Sequence, residues 1–473
     1  MSSRPNILFV FSDQQRYNAL GANGNDIVQT PNLDAIASQG MVCDNVYSNH
    51  PLCSPYRAIL LTGQFGWRNG VIDNEYRPRR DIPTLPSLLR DEGYETGHIG
   101  TFHLGRGPYP KKDRYGFDYL GALHLDGTKG FFDQSYFENE AGPTSHEGWA
   151  PTVETDLSIR FLEQHLDKRP DDPFALFISW RPPHWPYKSY PEEFDIYDGD
   201  TVNLPENVPV QMAEFARREM ADYYGNCSAL DTEMGRLEAA LDRLGITENT
   251  IVIYTSDHGD HLSSHGYGKP GDSWLHHSMR ASKATPYEES VHVPFVIRWP
   301  GHTPSGTRSN SFFGTIDLVP SLLGACGVSI PDCMQGRDVS TLWDGGSPPV
   351  DPQQAPGGSD SAYLMNMANG WPNRYGWVGR WRGVRTARYT YARWYQNERG
   401  PWLFDRAGDP LEMTNLAKSR EGRVAVEEME ERLHRWIDAT SDPFEYGKRG
   451  PRGFIEVGQE WADPEKWKEW ETA

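Results

Sequence analysis

Apolar residues fall along this chain in two rhythms. Asn6 to Ser12 is a near-continuous apolar run that ends in polar residues, as expected of a strand buried on both faces. Phe174 to Ser179 and Thr250 to Ser256 have the same character. Between these last two, Met220, Tyr223, Cys227, Leu230, Met234, Leu237, Leu241 and Leu244 follow one another at steps of three and four, and Gly245 closes the series. Such spacing places them on one face of a helix ended by a glycine. Strands on both sides favour a helix packed on a sheet over a coiled-coil seam. The alternation through the first two-thirds of the chain predicts an α/β fold with a doubly wound, mostly parallel sheet flanked by helices.

Sheets of that kind gather ligands at the carboxyl ends of their strands. Asp13-Gln14 follows the first run, Asp257-His258 follows the third, and Pro183-His184-Trp185-Pro186 comes shortly after the second. Composition then shifts near Trp343, and the Gly-, Pro-, Ser- and Asp-rich stretch from Asp344 to Asp360 reads as a linker or long loop. Beyond it, Gly383 to Trp394 and Trp402 to Asp405 alternate like antiparallel strands, and Val426, Met429, Leu433 and Trp436 form one helix face. The expected division is a larger domain over residues 1–345 and a smaller α+β domain, antiparallel sheet plus helix, over 346–473. The tail after Asp442 is charged and Trp-rich, with no clear assignment.

Hydrophobic residues make up 37% of the chain and aromatics 12%, enough for packed cores and too much for a disordered protein. The formal net charge of −20 speaks against non-specific nucleic-acid binding. It leaves room for an anionic substrate at a locally positive site, where Arg57, Lys283 and several histidines are the candidates. No segment has the apolar length needed to cross a bilayer, so no membrane partner is expected. Ile7 to Phe11 is too short for a signal-peptide core and reads as the first strand. Met1 as the native start implies the cytoplasm, whereas a removed leader implies the periplasm or secretion. Cys43, Cys53, Cys227, Cys326 and Cys333 form an odd, sparse set that suits a reducing compartment better than a disulfide framework. All but Cys53 are expected to be small buried hydrophobes.

Asp13 and Gln14 at one strand end, and Asp257-His258-Gly259-Asp260 at another, supply oxygen donors suited to a hard divalent cation. Either cluster alone would serve equally as a turn or helix cap. Two such clusters at strand ends of one sheet point to a shared metal. Between them lies Cys53-Ser54-Pro55-Tyr56-Arg57, followed by Ala58 to Thr62 and Gly63. This Cys-x-Pro-x-Arg element resembles the signature of type I, formylglycine-dependent sulfatases of the alkaline phosphatase superfamily. The resemblance extends in order along the chain. It takes in Thr30-Pro31-Asn32-Leu33-Asp34, Phe177-Ile178-Ser179 with Pro183 to Pro186, and Thr255 to Asp260. It continues through Lys283 with Tyr287-Glu288-Glu289, Arg298-Trp299-Pro300-Gly301, Leu403-Phe404-Asp405 and Asp409 to Leu416.

The resemblance implies an alkaline-phosphatase-like catalytic domain that hydrolyses a sulfate monoester to alcohol and sulfate. Cys53 would be converted to formylglycine by a formylglycine-generating or maturase enzyme. Asp13, Gln14, Asp257, His258 and residue 53 would bind one divalent metal. The aldehyde hydrate would attack sulfur, with Arg57 keeping it poised, His184 protonating the leaving alcohol and Lys283 stabilising charge. His103 would then be the base that collapses the sulfated intermediate. Asn74 and Thr101 would contact substrate alongside His184 and Lys283, although Asn74 reads equally as a turn residue. His261, His265, His276 and His277 crowd a loop near the metal segment as candidate pocket residues, and Trp185 and Trp274 with the Trp-rich second domain as a sugar-stacking surface.

Three positions depart from the family pattern. Many sulfatases have two successive aspartates where Asp13-Gln14 stands, asparagine at the place of His258 and lysine at that of Thr101. Calcium is the metal the family implies, but an imidazole ligand also admits manganese or another transition metal. The Asp-Gln and Asp-His pairing also resembles the phosphonate monoester hydrolase branch, so a phosphonate or phosphodiester substrate for the same nucleophile is the alternative. A non-catalytic sugar- or anion-binding relative would have lost the nucleophile or ligands that this chain keeps. The alcohol half of the substrate, a small molecule or a saccharide, and the oligomeric state are not legible.

Overall fold

The computed structural model describes residues 4–125, 130–266, 279–347, 360–368, 379–395 and 400–444. Ten strands form one sheet: β1 (Asn6–Asp13), β2 (Met41–Tyr47), β3 (Glu95–Gly100), β4 (Tyr119–Leu123), β5 (Ser135–Glu138), β6 (Ala141–Ser145), β7 (Phe174–Pro183), β8 (Thr250–Ser256), β9 (Phe295–Arg298) and β10 (Thr307–Gly314). Their order across the sheet is β10-β2-β9-β8-β1-β7-β3-β4-β5-β6. The five central strands from β8 to β4 are mutually parallel, as are β10 and β2. β9 runs antiparallel to both neighbours, and β5 and β6 add an antiparallel edge. The doubly wound, mostly parallel sheet expected from the apolar rhythm is present.

Every residue of β1 is buried, which requires cover on both faces. Alternate side chains divide the work. Ile7, Phe9 and Phe11 pack with Tyr56, Leu60, Leu318 and Leu322 from the helices Cys53–Thr62 and Thr315–Ala325. Leu8 and Val10 pack with Leu157, Phe161, Leu230 and Met234 from Ala150–Lys168 and Ala213–Leu244 on the other side. Each such side chain withdrawn from water contributes about 1.5–3 kcal/mol. Gly245 ends the long helix in the left-handed conformation, with φ at 71°.

A separate antiparallel sheet follows, in the order β11 (Ser361–Asn366), β12 (Trp381–Thr386), β13 (Tyr389–Trp394) and β14 (Trp402–Asp405). The helix Arg423–Thr440 covers it through Met429, Leu433 and Trp436, which meet Tyr363, Val384 and Tyr391. Its other face joins Tyr47 and Phe312 of the large sheet through Ala362, Leu364, Trp381 and Trp394. Trp381 and Trp394 are therefore core residues and not part of a sugar-stacking surface; they fill the space where two sheets meet. Cys43, Cys53, Cys227 and Cys326 are buried, but Cys333 is only partly so and corrects the expectation for it. It stands in a turn, where chain reversal leaves it at the surface. Most of the expected linker (348–359) and the tail from 445 onward lie outside the described residues.

One buried ion pair ties the segment after the last helix to the smaller sheet. Arg382 and Asp442 have fully buried side chains, with Nε–Oδ2 at 2.5 Å and Nη2–Oδ1 at 3.1 Å. The Tyr363 hydroxyl donates to the same carboxylate at 2.7 Å. Removing one partner strands a charge away from water, which costs about 3–5 kcal/mol. Asp442→Ala is expected to lower the unfolding free energy by that order in denaturant titration, and an unchanged midpoint would show the pair to be dispensable.

Candidate active site

Position 53 opens a ten-residue helix whose every residue is buried. Leu52 at its N-cap has no capping side chain, and the Ser54 N–H is met instead by Asn74 Oδ1 at 3.0 Å. That bond assigns the Asn74 oxygen to the helix start. Cys53 and Arg57 are four residues apart and share one helix face, aimed at the ends of β1 and β8. The positive end of the helix dipole sits at residue 53, a favourable place for an oxyanion.

Around that atom the distant segments converge. Cys53 Sγ lies 3.5 Å from His258 Nε2, 3.8 Å from Asp13 Oδ1 and 3.2 Å from Lys283 Nζ. Arg57 Nη2 spans Asp13 Oδ2 at 3.1 Å and Asp257 Oδ2 at 3.4 Å, while Nη1 donates to Ser179 Oγ at 2.5 Å and to the Thr101 carbonyl. His258 Nδ1 is 3.0 Å from the Gly259 carbonyl, which can only accept. The ring proton is therefore on Nδ1, and the Nε2 lone pair faces Asp257 Oδ1 at 3.4 Å.

Gln14 adopts a left-handed backbone, φ 75°, unusual for a residue with a side chain. Its N–H donates to Asp257 Oδ1 at 2.9 Å, and Tyr223 from the long helix donates to its carbonyl at 2.7 Å. In the side chain, Nε2 donates to Asp260 Oδ2 at 2.7 Å and Oε1 accepts from Lys283 at 2.7 Å. Gln14 thus orients Lys283 from the edge of the donor cluster.

Asp13 and Asp257 are both dry. Burial opposes ionisation of Asp13, but the cations Lys283 and Arg57 hold its carboxyl well below the usual range. Asp257 is driven the other way by burial and by the charge of Asp13. One oxygen or nitrogen from each of Asp13, Asp257 and His258, with the atom of residue 53, all lie within 4.8 Å of one another. Two facing carboxylates, one set against ionising, together with an inward lone pair are a donor set that a divalent cation satisfies.

The two other histidines stand neutral. Burial, then Lys283, lowers His184 to about 3, and its Nδ1 lies 2.6 Å from the Trp185 carbonyl, leaving Nε2 as the acceptor. Burial also lowers His103, outweighing Glu75 at 3.7 Å. The His103 carbonyl accepts from Ser54 Oγ at 2.7 Å, which fastens its loop to the helix start. Thr101 gives its carbonyl to Arg57, and its buried hydroxyl has no partner among the described residues. His261 is fully buried, with both ring nitrogens engaged by Ser264 and Thr285, so it holds the loop rather than lining a pocket. His276, His277 and Trp274 lie outside the described residues.

Three neighbours had no individual role in the sequence reading. Ser179 receives Arg57, Asp260 is fixed by Gln14 and by Tyr187 at 2.5 Å, and Glu75 backs His103. For Ser179 the signal was its place as the last polar residue of an apolar run. Glu75 carried none.

At the start of a buried helix, residue 53 is met by strand-end donors and a lysine, the donor types a metal-dependent hydrolase uses. Residues 5–328 match the Sulfatase family model, and 280–439 match that of the N-sulphoglucosamine sulphohydrolase C-terminal region. An ulvan-active sulfatase of Formosa agariphila is 32% identical over 93% of this chain and 83% of its own length. The solved structure of BT4656 with its substrate D-glucosamine-2-N,6-O-disulfate superposes with a TM-score of 0.81 at 24% identity, over 93% of this chain and 98% of that one. A phosphonate monoester hydrolase of Agrobacterium radiobacter shares the fold at a TM-score of 0.72 and 23% identity, over 92% and 96%. The chain belongs to the sulfatase family of the alkaline phosphatase superfamily. It is a sulfuric ester hydrolase that cleaves a sulfate ester; the family implies a divalent metal, and the buried Asp13, Asp257 and His258 cluster is compatible with one.

A cation that binds only the folded donor cluster raises stability by about 2.7 kcal/mol at a hundredfold excess over its Kd. Chelator-treated protein is expected to gain thermal stability when calcium or manganese is returned, and Asp257→Asn to lose that gain. An equal shift in wild type and variant would place the metal elsewhere.

Proposed function

We propose that Cys53 is converted to formylglycine by a separate modifying enzyme and that the mature protein removes sulfate from a saccharide. The convergence of Lys283, Asp13 and His258 on residue 53, at 3.2 to 3.8 Å, carries this reading. When bound, the cation supplies Lewis-acid polarisation of a sulfate oxygen, and the hydrated aldehyde supplies the attacking oxygen. Asp13, Asp257 and His258, with Gln14 at the edge of the cluster, hold the cation. Calcium is the choice the family favours, with manganese the alternative that an imidazole donor admits.

The remaining roles fall to groups already oriented. Arg57 locks Asp13 to Asp257 and keeps both carboxylates beneath residue 53. Lys283, aligned by Gln14, faces the place where charge develops on the sulfate. His184 turns Nε2 toward the leaving oxygen, and an anionic ester beside it favours the proton that burial and Lys283 drive off. His103, neutral and backed by Glu75, accepts the proton when residue 53 releases sulfate. A saccharide ester is supported by the sulfated sugar that BT4656 binds and by the ulvan-active relative. Asn74, which caps the helix start through Oδ1, and Thr101, whose carbonyl receives Arg57, are the proposed further substrate contacts.

Mass spectrometry of the tryptic peptide spanning Cys53 is expected to find the aldehyde or its hydrate in active protein. Active protein with only the thiol would sink the mechanism. Cys53→Ala should retain the melting temperature within a few degrees and lose at least about 10³-fold in kcat, the scale of removing a nucleophile.

The phosphonate monoester reading keeps the same nucleophile and draws on the Gln14 and His258 pairing and on the shared fold. Side-by-side turnover of an aryl sulfate and an aryl phosphonate monoester separates the two. The sulfate is expected to be the better substrate in kcat/KM, and a large phosphonate preference would reverse the assignment.

A further inference from the structure

The scheme above leaves one cation at the site without a task. β1 and β7 pair in step from Ile7–Ala175 to Ser12–Trp180, but the next pair is Asp13–Pro183. Arg181 and Pro182 are thus extra residues on β7, opposite the step from Ser12 to Asp13. A bulge of this kind re-aims a side chain at a strand end. It falls between Ser179, which receives Arg57, and His184, whose N–H returns to the Arg181 carbonyl at 3.2 Å.

The Arg181 side chain is in an unusual position for its charge. Its guanidinium lies over the Phe131 ring at 5.9 Å, and it makes no hydrogen bond or ion pair among the described residues. Five N–H donors in a fixed fork are left for something else. The residue is only partly exposed, and its charge acts on Asp13 and on residue 53. The other two cations of the site are already matched: Arg57 bridges Asp13 and Asp257, and Lys283 is held by Gln14 and lies 3.9 Å from Asp13. Glu154 is the further buried carboxyl whose field reaches Arg181, but burial raises it to about 8 and it makes no ion pair with the guanidinium. Neither it nor the Phe131 contact therefore supplies a hydrogen-bonded oxyanion for the fork.

We propose that Arg181 is a substrate-binding residue that takes an oxyanion of the ester, either the sulfate being cleaved or a second acidic substituent on the same sugar. This rests on the sulfatase reading and deepens it, since a guanidinium fork carried on the bulge between Ser179 and His184 selects planar or tetrahedral oxyanions by paired donors.

The test uses full-length, metal-loaded protein carrying Arg181→Gln or Arg181→Lys, with an aryl sulfate and glucosamine-2-N,6-O-disulfate as substrates. Arg181→Gln is expected to raise KM about 10- to 100-fold, the range for a lost charge-assisted hydrogen bond, with kcat changed less than about threefold. Arg181→Lys should recover part of the loss. A rise for both substrates assigns Arg181 to the reacting sulfate, and a rise for the disulfate alone assigns it to the second group. Unchanged KM for both, or a fall in kcat alone, overturns the proposal. A second readout needs no turnover: inorganic sulfate should raise the melting temperature of wild type more than that of Arg181→Gln. If wild type cleaves neither ester, the hydrolase reading of the site fails, and equal sulfate shifts then reject Arg181 separately.

Discussion

The contact on which the rest of this structure depends is the buried fork of Arg57 between Asp13 and Asp257. Charged groups taken out of water, here Arg57 and Asp13, cost several kcal/mol each unless they are met by partners, and burial beside Asp13 sets Asp257 against ionising. Here the partners come from four strand ends and one helix. β1 supplies Asp13, β8 leads into Asp257, β7 supplies Ser179, and the turn after β3 supplies the Thr101 carbonyl. The central parallel sheet and the order of its strands make sense as the frame that brings these ends to one point. Without Arg57, Asp13 would lose the guanidinium that bridges it to Asp257, and the donors grouped around residue 53 would lose the contact that ties them together.

The same economy explains why so much backbone near the site leaves the regular pattern. Gln14 and His103 both take left-handed conformations, and β7 bulges between Trp180 and Pro183. Regular strands would carry their side chains to alternate faces of the sheet and away from its edge. Turning them over the strand ends takes local backbone strain, and the surrounding hydrogen bonds hold it: Tyr223 and Asp257 on Gln14, Ser54 on the His103 carbonyl. Tyr223 belongs to the periodic stripe of the long helix, so one residue serves both the packing of the sheet and the shape of the site.

How far the sequence could be read follows from what each signal rests on. Thr250 to Ser256 is marked as a strand and is one, because a parallel strand buried on both faces must be apolar throughout. The run at Phe174 extends to Pro183 in the structure, since the residues after Ser179 include Arg181 and two prolines that hide a strand whose last part serves the site. Cys53, Arg57, Asp13, Asp257, His258 and Lys283 could be picked out by motif and by their place after apolar runs, and they meet. Glu75 and Ser54 could not, because their value lies in contacts with residues far along the chain. Trp381 and Trp394 misled for the opposite reason: an aromatic residue reads alike whether it stacks on a sugar or fills a seam, and these two fill a seam.

The arrangement at His184 bears on which alcohol leaves. A phenolate departs without help, whereas a sugar alkoxide is a strong base and needs a proton as its bond to sulfur breaks. In the proposed chemistry that proton comes from an imidazole fixed by the Trp185 carbonyl and set between prolines, in a setting that drives its pKa to about 3 before substrate arrives. A permanent cation there would draw in any anion. A ring that is charged only beside a bound ester ties the acid to the substrate that requires it. It suits the saccharide ester proposed as the substrate, whose alkoxide cannot leave without that proton.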